Sequence, residues 1–166
     1  MKTITIGGNL VHLAGELPEV GQMAPQFSAV KGDLSVANLT DFAGKRVILN
    51  IFPSLDTPIC ATSVRRFNKE AAKLENTVVL CISKDLPFAQ GRFCTTEGLD
   101  GVIALSTFND TSFDEGFGLL ISEGGLKGLY ARTVVVLDET GKIIYEQLVP
   151  ELKTEPDYEA ALNALK

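Results

Sequence analysis

Three cysteines, Cys60, Cys81 and Cys94, are the side chains of this sequence best suited to redox or nucleophilic chemistry. A cysteine thiolate is a nucleophile and a redox centre, whereas a cysteine buried among apolar residues is inert. The sequence has one histidine, His12, and its three cysteines are not spaced as paired metal ligands, so we expect no metal site. His12 lies beside apolar neighbours in a predicted hairpin, where we expect a surface role without chemistry.

Cys60 stands where a predicted strand meets a predicted helix. An apolar run at 47–52 is typical of a strand buried on both faces, and Thr57 followed by Pro58 has the pattern of a helix cap and first helical residue. Cys60 then falls in the first helical turn, where free N–H groups and the helix dipole favour a thiolate. The same pattern also fits purely structural roles, with Cys60 as a packed residue of the first helical turn and Thr57 as a helix cap without a part in catalysis. The spacing does not decide between the structural and the chemical roles.

A reactive Cys60 needs a cation nearby, because Asp56 adds a negative charge that disfavours the thiolate. Arg65 and Arg66 lie more than one turn along the helix and need not reach back. Arg132 precedes a predicted central strand and can approach from the neighbouring strand end. The residues alone equally allow Arg132 to be a surface arginine at that strand end.

The other two cysteines have different surroundings. Cys81 lies inside an apolar run at 78–82, which indicates a buried strand and a structural thiol. Cys94 ends a short predicted helix at 87–94. The residues alone do not decide whether Cys94 is reactive or is packed beside Phe88 and Phe93.

The elements that must position these residues form a regular order of strands and helices. The predicted elements are a hairpin at 3–13, a strand at 47–52, a helix at 59–74, a strand at 77–83, a helix at 87–94, a strand at 102–106, a helical turn at 113–117, a hairpin at 133–148 and a helix at 157–165. A Gly/Pro-rich connection joins the first hairpin to the rest. This order is that of an α/β thioredoxin-like fold, a central mixed sheet flanked by helices, with an N-terminal β-hairpin extension at 1–15.

Composition sets the broad class. The chain has 166 residues with 45% hydrophobic and 22% charged residues, as expected for one soluble globular domain over 1–166. Its net charge of −6, with scattered basic residues, argues against nucleic-acid binding. No apolar run is long enough to span a membrane, and the N-terminus does not have the pattern of a signal peptide, so we expect a cytoplasmic protein.

Residues 53–60 match the Pro-x-x-x-Thr-x-x-Cys signature of peroxiredoxins. The flanking sequence is similar to the bacterial thiol peroxidase subfamily, whose members are atypical two-cysteine peroxiredoxins. The similar segments are 50–54, 63–68, 86–94 and 126–129. The third of these segments contains Cys94. Together they extend the resemblance over nearly the whole chain, including the N-terminal hairpin.

The resemblance implies an antioxidant enzyme with Cys60 as its peroxidatic residue. The Cys60 thiolate would attack a hydroperoxide and become a sulfenic acid, releasing water or an alcohol. Thr57 would hydrogen-bond the peroxide oxygens, Arg132 would support thiolate and peroxide, and Pro53 would cover the pocket and limit water. No cofactor is expected, because sulfur itself carries the redox change.

The resemblance also implies that Cys94 resolves the sulfenic acid, forming an intramolecular Cys60–Cys94 disulfide that thioredoxin reduces. Cysteines on separate helices are seldom within disulfide distance, so we expect one or both helical segments to unwind in each cycle. Gly91, with its low helix propensity, would ease this opening. The resemblance further implies a homodimer.

Both hydrogen peroxide and organic hydroperoxides are expected substrates. The family favours alkyl hydroperoxides, and the apolar residues expected near the site are Phe52, Leu55 and Ile59.

Two alternatives use similar chemistry. A thiol–disulfide exchanger on this fold normally has Cys-x-x-Cys at the helix start, where this sequence has Ser63 in place of the second cysteine. A redox sensor would use Cys60 and Cys94 stoichiometrically, so repeated turnover with peroxide would separate it from an enzyme. A copper-delivery protein would need a second nearby cysteine and a histidine late in the chain, which are absent.

Overall fold

The computed structural model describes residues 2–166, within which there are nine strands and four α-helices. The strands are β1 (Thr3–Ile6), β2 (Asn9–His12), β3 (Ser28–Val30), β4 (Val36–Asn38), β5 (Arg46–Ile51), β6 (Thr77–Ser83), β7 (Ile103–Ser106), β8 (Thr133–Leu137) and β9 (Ile143–Leu148). The helices are α1 (Pro58–Ala71), α2 (Pro87–Glu97), α3 (Ser112–Phe117) and α4 (Tyr158–Asn163). No helix in the described part of the chain is long and apolar enough to cross a membrane.

A seven-stranded mixed sheet forms the centre of the protein, with strand order β4-β3-β7-β6-β5-β8-β9. Strands β5, β6 and β7 are parallel, and the remaining neighbours are antiparallel. Val47 to Ile51 of β5 are all buried, which explains why this strand is a continuous apolar run rather than an alternating one. The end of β5 lies beside the start of β8, with Ile51 opposite Thr133.

The N-terminal hairpin of β1 and β2 is a separate two-stranded sheet, as predicted. Its turn is formed by Gly7 and Gly8, both with positive φ, as the tightest hairpin turns require. The Thr5 backbone bonds to the Pro150 carbonyl and the Leu152 N–H, at 2.8 and 2.9 Å. The hairpin is therefore fixed against the segment that follows β9. Met1, which the prediction placed in this extension, lies outside the described residues.

The sheet separates two apolar clusters. Helices α1 and α4 pack on one face, with Phe67 of α1 against Tyr158 of α4 at a ring distance of 5.3 Å. Helix α3 packs on the other face, where Phe113 and Phe117 stack at 4.4 Å and Phe27 meets both edge-on. The predicted central mixed sheet flanked by helices is thus present.

The structure differs from the sequence prediction mainly at helix ends and in two short strands. Helix α2 continues to Glu97, so Cys94 lies inside it rather than at its end; the helix stops where Gly98 adopts the left-handed conformation, φ +66°. Helix α1 ends at Ala71 instead of residue 74. The sequence pattern did not assign β3 and β4, which are only three residues long.

Candidate active site

Cys60 occupies the third position of helix α1, after the cap residue Thr57, as the sequence pattern predicted. Its side chain is completely buried. Arg132 Nη1 donates a hydrogen bond to the Cys60 sulfur at 3.3 Å. A buried sulfur in the first turn of a helix therefore faces both the positive end of the helix dipole and a guanidinium group.

Arg132 is held by a backbone acceptor that sequence reasoning missed. Its Nε and Nη2 atoms donate to the Leu152 carbonyl at 3.0 and 2.9 Å, which leaves Nη1 for the sulfur of Cys60. Arg132 is only 3% exposed and directly precedes β8, beside the end of β5, so the sheet order brings it to the start of α1. Every residue has a carbonyl, so no sequence signal marks Leu152 for this role.

A cavity of about 430 Å³ adjoins this contact, and the predicted site residues Pro53, Thr57 and Arg132 all line it. Cys60 lies behind its wall, and Arg132 joins the pocket to the sulfur. The pocket lining contains two cationic residues, Arg132 and Lys153, and no acidic residue. The remaining lining is almost entirely apolar.

The apolar lining differs from the one expected. Of the three residues suggested by the sequence, only Ile59 lines the pocket, because Phe52 and Leu55 are buried in the core beneath it. The other apolar lining residues come from distant segments: Ile6 of the hairpin, and Leu126, Leu129 and Leu152. The sequence did not reveal them, since apolar residues far apart in a chain carry no sign that they meet.

Thr57 stands at the cap position but makes no cap bond. Its Oγ1 donates instead to the Ser54 carbonyl at 2.8 Å. Since the hydroxyl proton is directed to Ser54, the Thr57 oxygen is set to accept a hydrogen bond at the pocket wall. The predicted cap position is correct, whereas the expected capping interaction is absent.

The loop at 53–57 is attached to Asp85, another residue that sequence reasoning missed. The Asp85 carboxylate accepts bonds from Ser54 Oγ at 2.7 Å and from Leu55 N–H at 2.8 Å. Asp85 follows the end of β6, where α/β proteins commonly place functional side chains. This position after a strand was the only feature of the sequence that pointed to a functional role for Asp85.

Cys94 is half-buried in α2, and burial raises the pKa of its thiol. It forms no bond with Cys60, since all three cysteines are free. The two helices are neighbours, joined by an ion pair of 2.6 Å between Arg65 of α1 and Glu97 of α2. Of the two phenylalanines considered as packing neighbours of Cys94, Phe88 is 67% exposed and Phe93 is partly buried against the apolar cluster on the α1 face. The reactive role of Cys94 stays a prediction.

Cys81 is fully buried in β6, as expected of a structural thiol. Burial raises the pKa of Cys81 to about 12. The neighbouring Asn50 side chain bonds to Ser63 Oγ at 3.3 Å, and Ser63 donates to the Cys60 carbonyl at 2.8 Å. Ser63, which replaces the second cysteine of an exchanger motif, therefore supports the first turns of α1.

Other charged residues considered in the sequence are engaged elsewhere. Arg66 pairs with Glu159 at 3.0 Å, and Arg65 pairs with Glu97. His12 is exposed and pairs with Glu123 at 2.8 Å. None of these three basic residues lines the pocket.

Comparison with known proteins places the chain in a well-defined group. A sequence model of the redoxin family matches residues 19–162. The chain is 55% identical to a thiol peroxidase of Corynebacterium glutamicum over 158 residues, which is 95% of each chain.

Solved structures agree with this grouping. A peroxiredoxin-like protein from Aquifex aeolicus is 39% identical and has a TM-score of 0.94, with 99% of this chain and 96% of that chain covered. A thiol peroxidase from Chromobacterium violaceum shares the fold at 21% identity, with a TM-score of 0.89 and coverage of 98% and 94%. The predicted thioredoxin-like fold with its N-terminal hairpin is thereby confirmed.

Proposed function

The chain belongs to the redoxin family and is a thiol-dependent peroxidase, and on that premise we propose that Cys60 is the residue that attacks the hydroperoxide. The observation that carries this proposal is the 3.3 Å bond from Arg132 to the buried Cys60 sulfur, at the wall of an apolar pocket. The other two cysteines lack such a partner: Cys81 is enclosed in a strand, and Cys94 has no cation bonded to its sulfur within residues 2–166.

In the first step the Cys60 thiolate attacks the outer peroxide oxygen. The S–O bond forms as the O–O bond breaks, sulfur is oxidised to the sulfenic acid, and the leaving oxygen takes a proton to become water or an alcohol. Arg132 stabilises the charge as it passes from sulfur to the leaving oxygen. Thr57 Oγ1 accepts a hydrogen bond from the peroxide, and Pro53, which is buried, closes the pocket wall against water.

In the second step the Cys94 thiol condenses with the Cys60 sulfenic acid. A disulfide forms and water leaves. Because Cys60 is enclosed and the two cysteines lie on separate helices, we expect one or both helical segments to open first. A dithiol reductant of the thioredoxin type then returns both cysteines to thiols, with two electrons per cycle.

The apolar pocket supports a preference for alkyl hydroperoxides over hydrogen peroxide. Five aliphatic side chains line it: Ile6, Ile59, Leu126, Leu129 and Leu152. An alkyl group that enters the pocket removes apolar surface from water, whereas hydrogen peroxide gains nothing from that surface. The homodimer and the cytoplasmic location stay predictions.

Mass analysis after one equivalent of an alkyl hydroperoxide tests this function. The reduced protein is expected to lose two hydrogens, with peptide mapping joining Cys60 to Cys94. Cys94→Ser is expected to gain one oxygen on Cys60 instead, and Cys81→Ser serves as the matched control that behaves as wild type. An unmodified Cys60 would refute its peroxidatic role, and thioredoxin-linked turnover of Cys94→Ser at the normal rate would refute the role of Cys94.

A further inference from the structure

Asp85 is the centre of a hydrogen-bond cluster that lies outside the pocket. Its carboxylate accepts three bonds, from Ser54 Oγ at 2.7 Å, Leu55 N–H at 2.8 Å and Ser83 Oγ at 2.8 Å. Ser54 and Leu55 belong to the loop that leads into Cys60, and Ser83 ends β6. One side chain thus ties the Cys60 loop to the sheet.

The same cluster extends to the helix that carries Cys94. Ser83 Oγ accepts a bond from Gln90 Nε2 at 3.1 Å, and Gln90 Nε2 also donates to the Leu105 carbonyl at 3.0 Å. Gln90 is 1% exposed and is one of only two buried residues of α2. The Cys60 loop and the first turns of α2 are therefore held through one connected set of buried or half-buried polar groups.

We propose that Asp85 is a positioning residue that holds the Cys60 loop in the arrangement that reacts with peroxide and must release it before Cys60 reaches Cys94. The proposal rests on the proposed roles of Cys60 and Cys94. It deepens them by assigning the control of the change between the two steps to one carboxylate.

The two steps require different arrangements of the same loop. Peroxide attack requires the loop as it stands, with Cys60 beside Arg132 and Thr57 at the pocket. Disulfide formation requires that arrangement to open. The bonds of Asp85 to Ser54 and Leu55 stabilise the closed arrangement, so losing them shifts the population toward the open one. Peroxide attack then becomes slower, and disulfide formation becomes faster.

Rapid-quench mass analysis separates the two steps, and it suits this chain because there is no tryptophan to report them by fluorescence. In Asp85→Ala we expect conversion of sulfenic acid to disulfide to quicken by about tenfold or more, because two charge-assisted bonds to the loop are lost. Sulfenic acid formation should slow by a smaller factor, because its rate follows the fraction of molecules in the closed arrangement, which is the major one in wild type. Asp85→Asn retains an acceptor oxygen and should fall between Asp85→Ala and wild type. Effects of opposite sign distinguish positioning from a general loss of structure.

Asp138→Asn is the matched control. The Asp138 carboxylate also accepts three bonds, from Thr140 N–H, Thr140 Oγ1 and Lys142 N–H. It lies beyond Leu137, at the end of β8 opposite Arg132. Both rates should remain at their wild-type values in this variant.

Three outcomes would overturn the proposal. They are equal slowing of both steps in Asp85→Asn, no change in either step, and a similar effect in Asp138→Asn. If Asp85→Ala does not fold, Ser54→Ala removes one bond to Asp85, and smaller changes in the same two directions are expected. Failure of wild type to form the Cys60–Cys94 disulfide would instead refute the proposed function.

Discussion

Helices α1 and α2 lie side by side, and each carries one of the two proposed reactive cysteines, but they are held in different ways. Helix α1 has 14 residues and buries five of them, including Cys60, Val64 and Phe67. Helix α2 has 11 residues and buries only Pro87 and Gln90, both before its middle. No residue of its last two turns, where Cys94 lies, is fully buried.

The difference follows from the two sequences. Apolar side chains recur at helical spacing along α1, so the core can hold one whole face of it. The corresponding part of α2 has Gly91, Arg92 and two threonines, with no continuous apolar stripe. Its end is held mainly by the partly buried Phe93 and by the exposed ion pair of Glu97 with Arg65. Exposed ion pairs contribute little stability.

This contrast relates packing to the two steps of the proposed reaction. Peroxide capture depends on a sulfur, a guanidinium and a hydroxyl that are already in place, so the element carrying Cys60 must be rigid. Resolution depends on movement, so the element carrying Cys94 benefits from weak local stability. A change within α2 should therefore alter resolution alone, whereas a change that loosens the loop before α1 should alter both steps, in opposite directions.

The largest effect is expected from substitution of Arg132, which bonds to Cys60 of the well-packed helix α1. Arg132→Met should lower the rate of sulfenic acid formation by about 10²–10³-fold, because the group that stabilises the transferred charge is removed. Arg132→Lys should recover only part of this, since one ammonium group cannot bind the Leu152 carbonyl twice and also reach the sulfur. Rapid-quench mass analysis with an alkyl hydroperoxide measures both variants.

Arg66→Met is the matched control for Arg132. Arg66 pairs with Glu70 and Glu159 away from the pocket, so its loss should leave sulfenic acid formation unchanged. A rate for folded Arg132→Met within threefold of wild type would show that the bond to the Cys60 sulfur does not support the reaction.

The sequence predicted the position of Cys60 at the start of α1 better than it predicted the residues that hold this site in place. The cap position Thr57-Pro58 and the buried strand before it carry strong local signals, and the structure places each where predicted. Arg132 carries a weak signal, because its position before a strand equally allows a surface arginine, and its place at the Cys60 sulfur is seen only in the structure. The contacts of Leu152 and Asp85 were not predicted, because a carbonyl has no signature and an aspartate after a strand has many uses. The end of α2 was also missed, since the last turn depends on the left-handed Gly98 rather than on an apolar pattern.

Substitutions of two glycines, Gly91 and Gly98, test whether helix α2 opens during resolution. Gly91 lies inside α2, and a Cβ added there would meet no atom within 4 Å, so Gly91→Ala should stabilise the helix by about 1 kcal/mol. If α2 opens during resolution, disulfide formation slows by up to about fivefold, the equivalent of that energy. Sulfenic acid formation should not change, and rapid-quench mass analysis measures both steps.

Gly98→Ala should act in the opposite direction. Gly98 ends α2 at a positive φ of 66°, which an alanine adopts only with strain of about 1 kcal/mol, although its Cβ would meet nothing. The end of the helix is then weakened, and disulfide formation should become faster. If the two alanine variants changed that step equally or not at all, α2 would not be the segment that opens.

The smallest expected effect concerns Lys153, at the pocket beside Cys60. Lys153 is exposed and has no ion-pair partner among residues 2–166, in a pocket lined by apolar side chains and no acid. A hydroperoxide with a carboxylate on its alkyl chain should gain about 0.5 kcal/mol from this charge, as exposed ion pairs do. Lys153→Met should therefore lower kcat/KM for the acid about twofold relative to its methyl ester. Hydrogen peroxide and the disulfide step should be unaffected.

The salt dependence of the same ratio completes the test of Lys153, because an exposed charge is screened by salt, whereas apolar contacts are not. In wild type the ratio of acid to ester should fall as salt rises, and in Lys153→Met it should stay level. Lys142→Met, in the β8–β9 turn away from the pocket, removes the same charge and should retain the wild-type dependence. An equal loss of salt dependence in both lysine variants would assign the effect to the net charge of the protein. Only a loss confined to Lys153→Met would show that the charge at the pocket selects among substrates in the step that Cys60 performs.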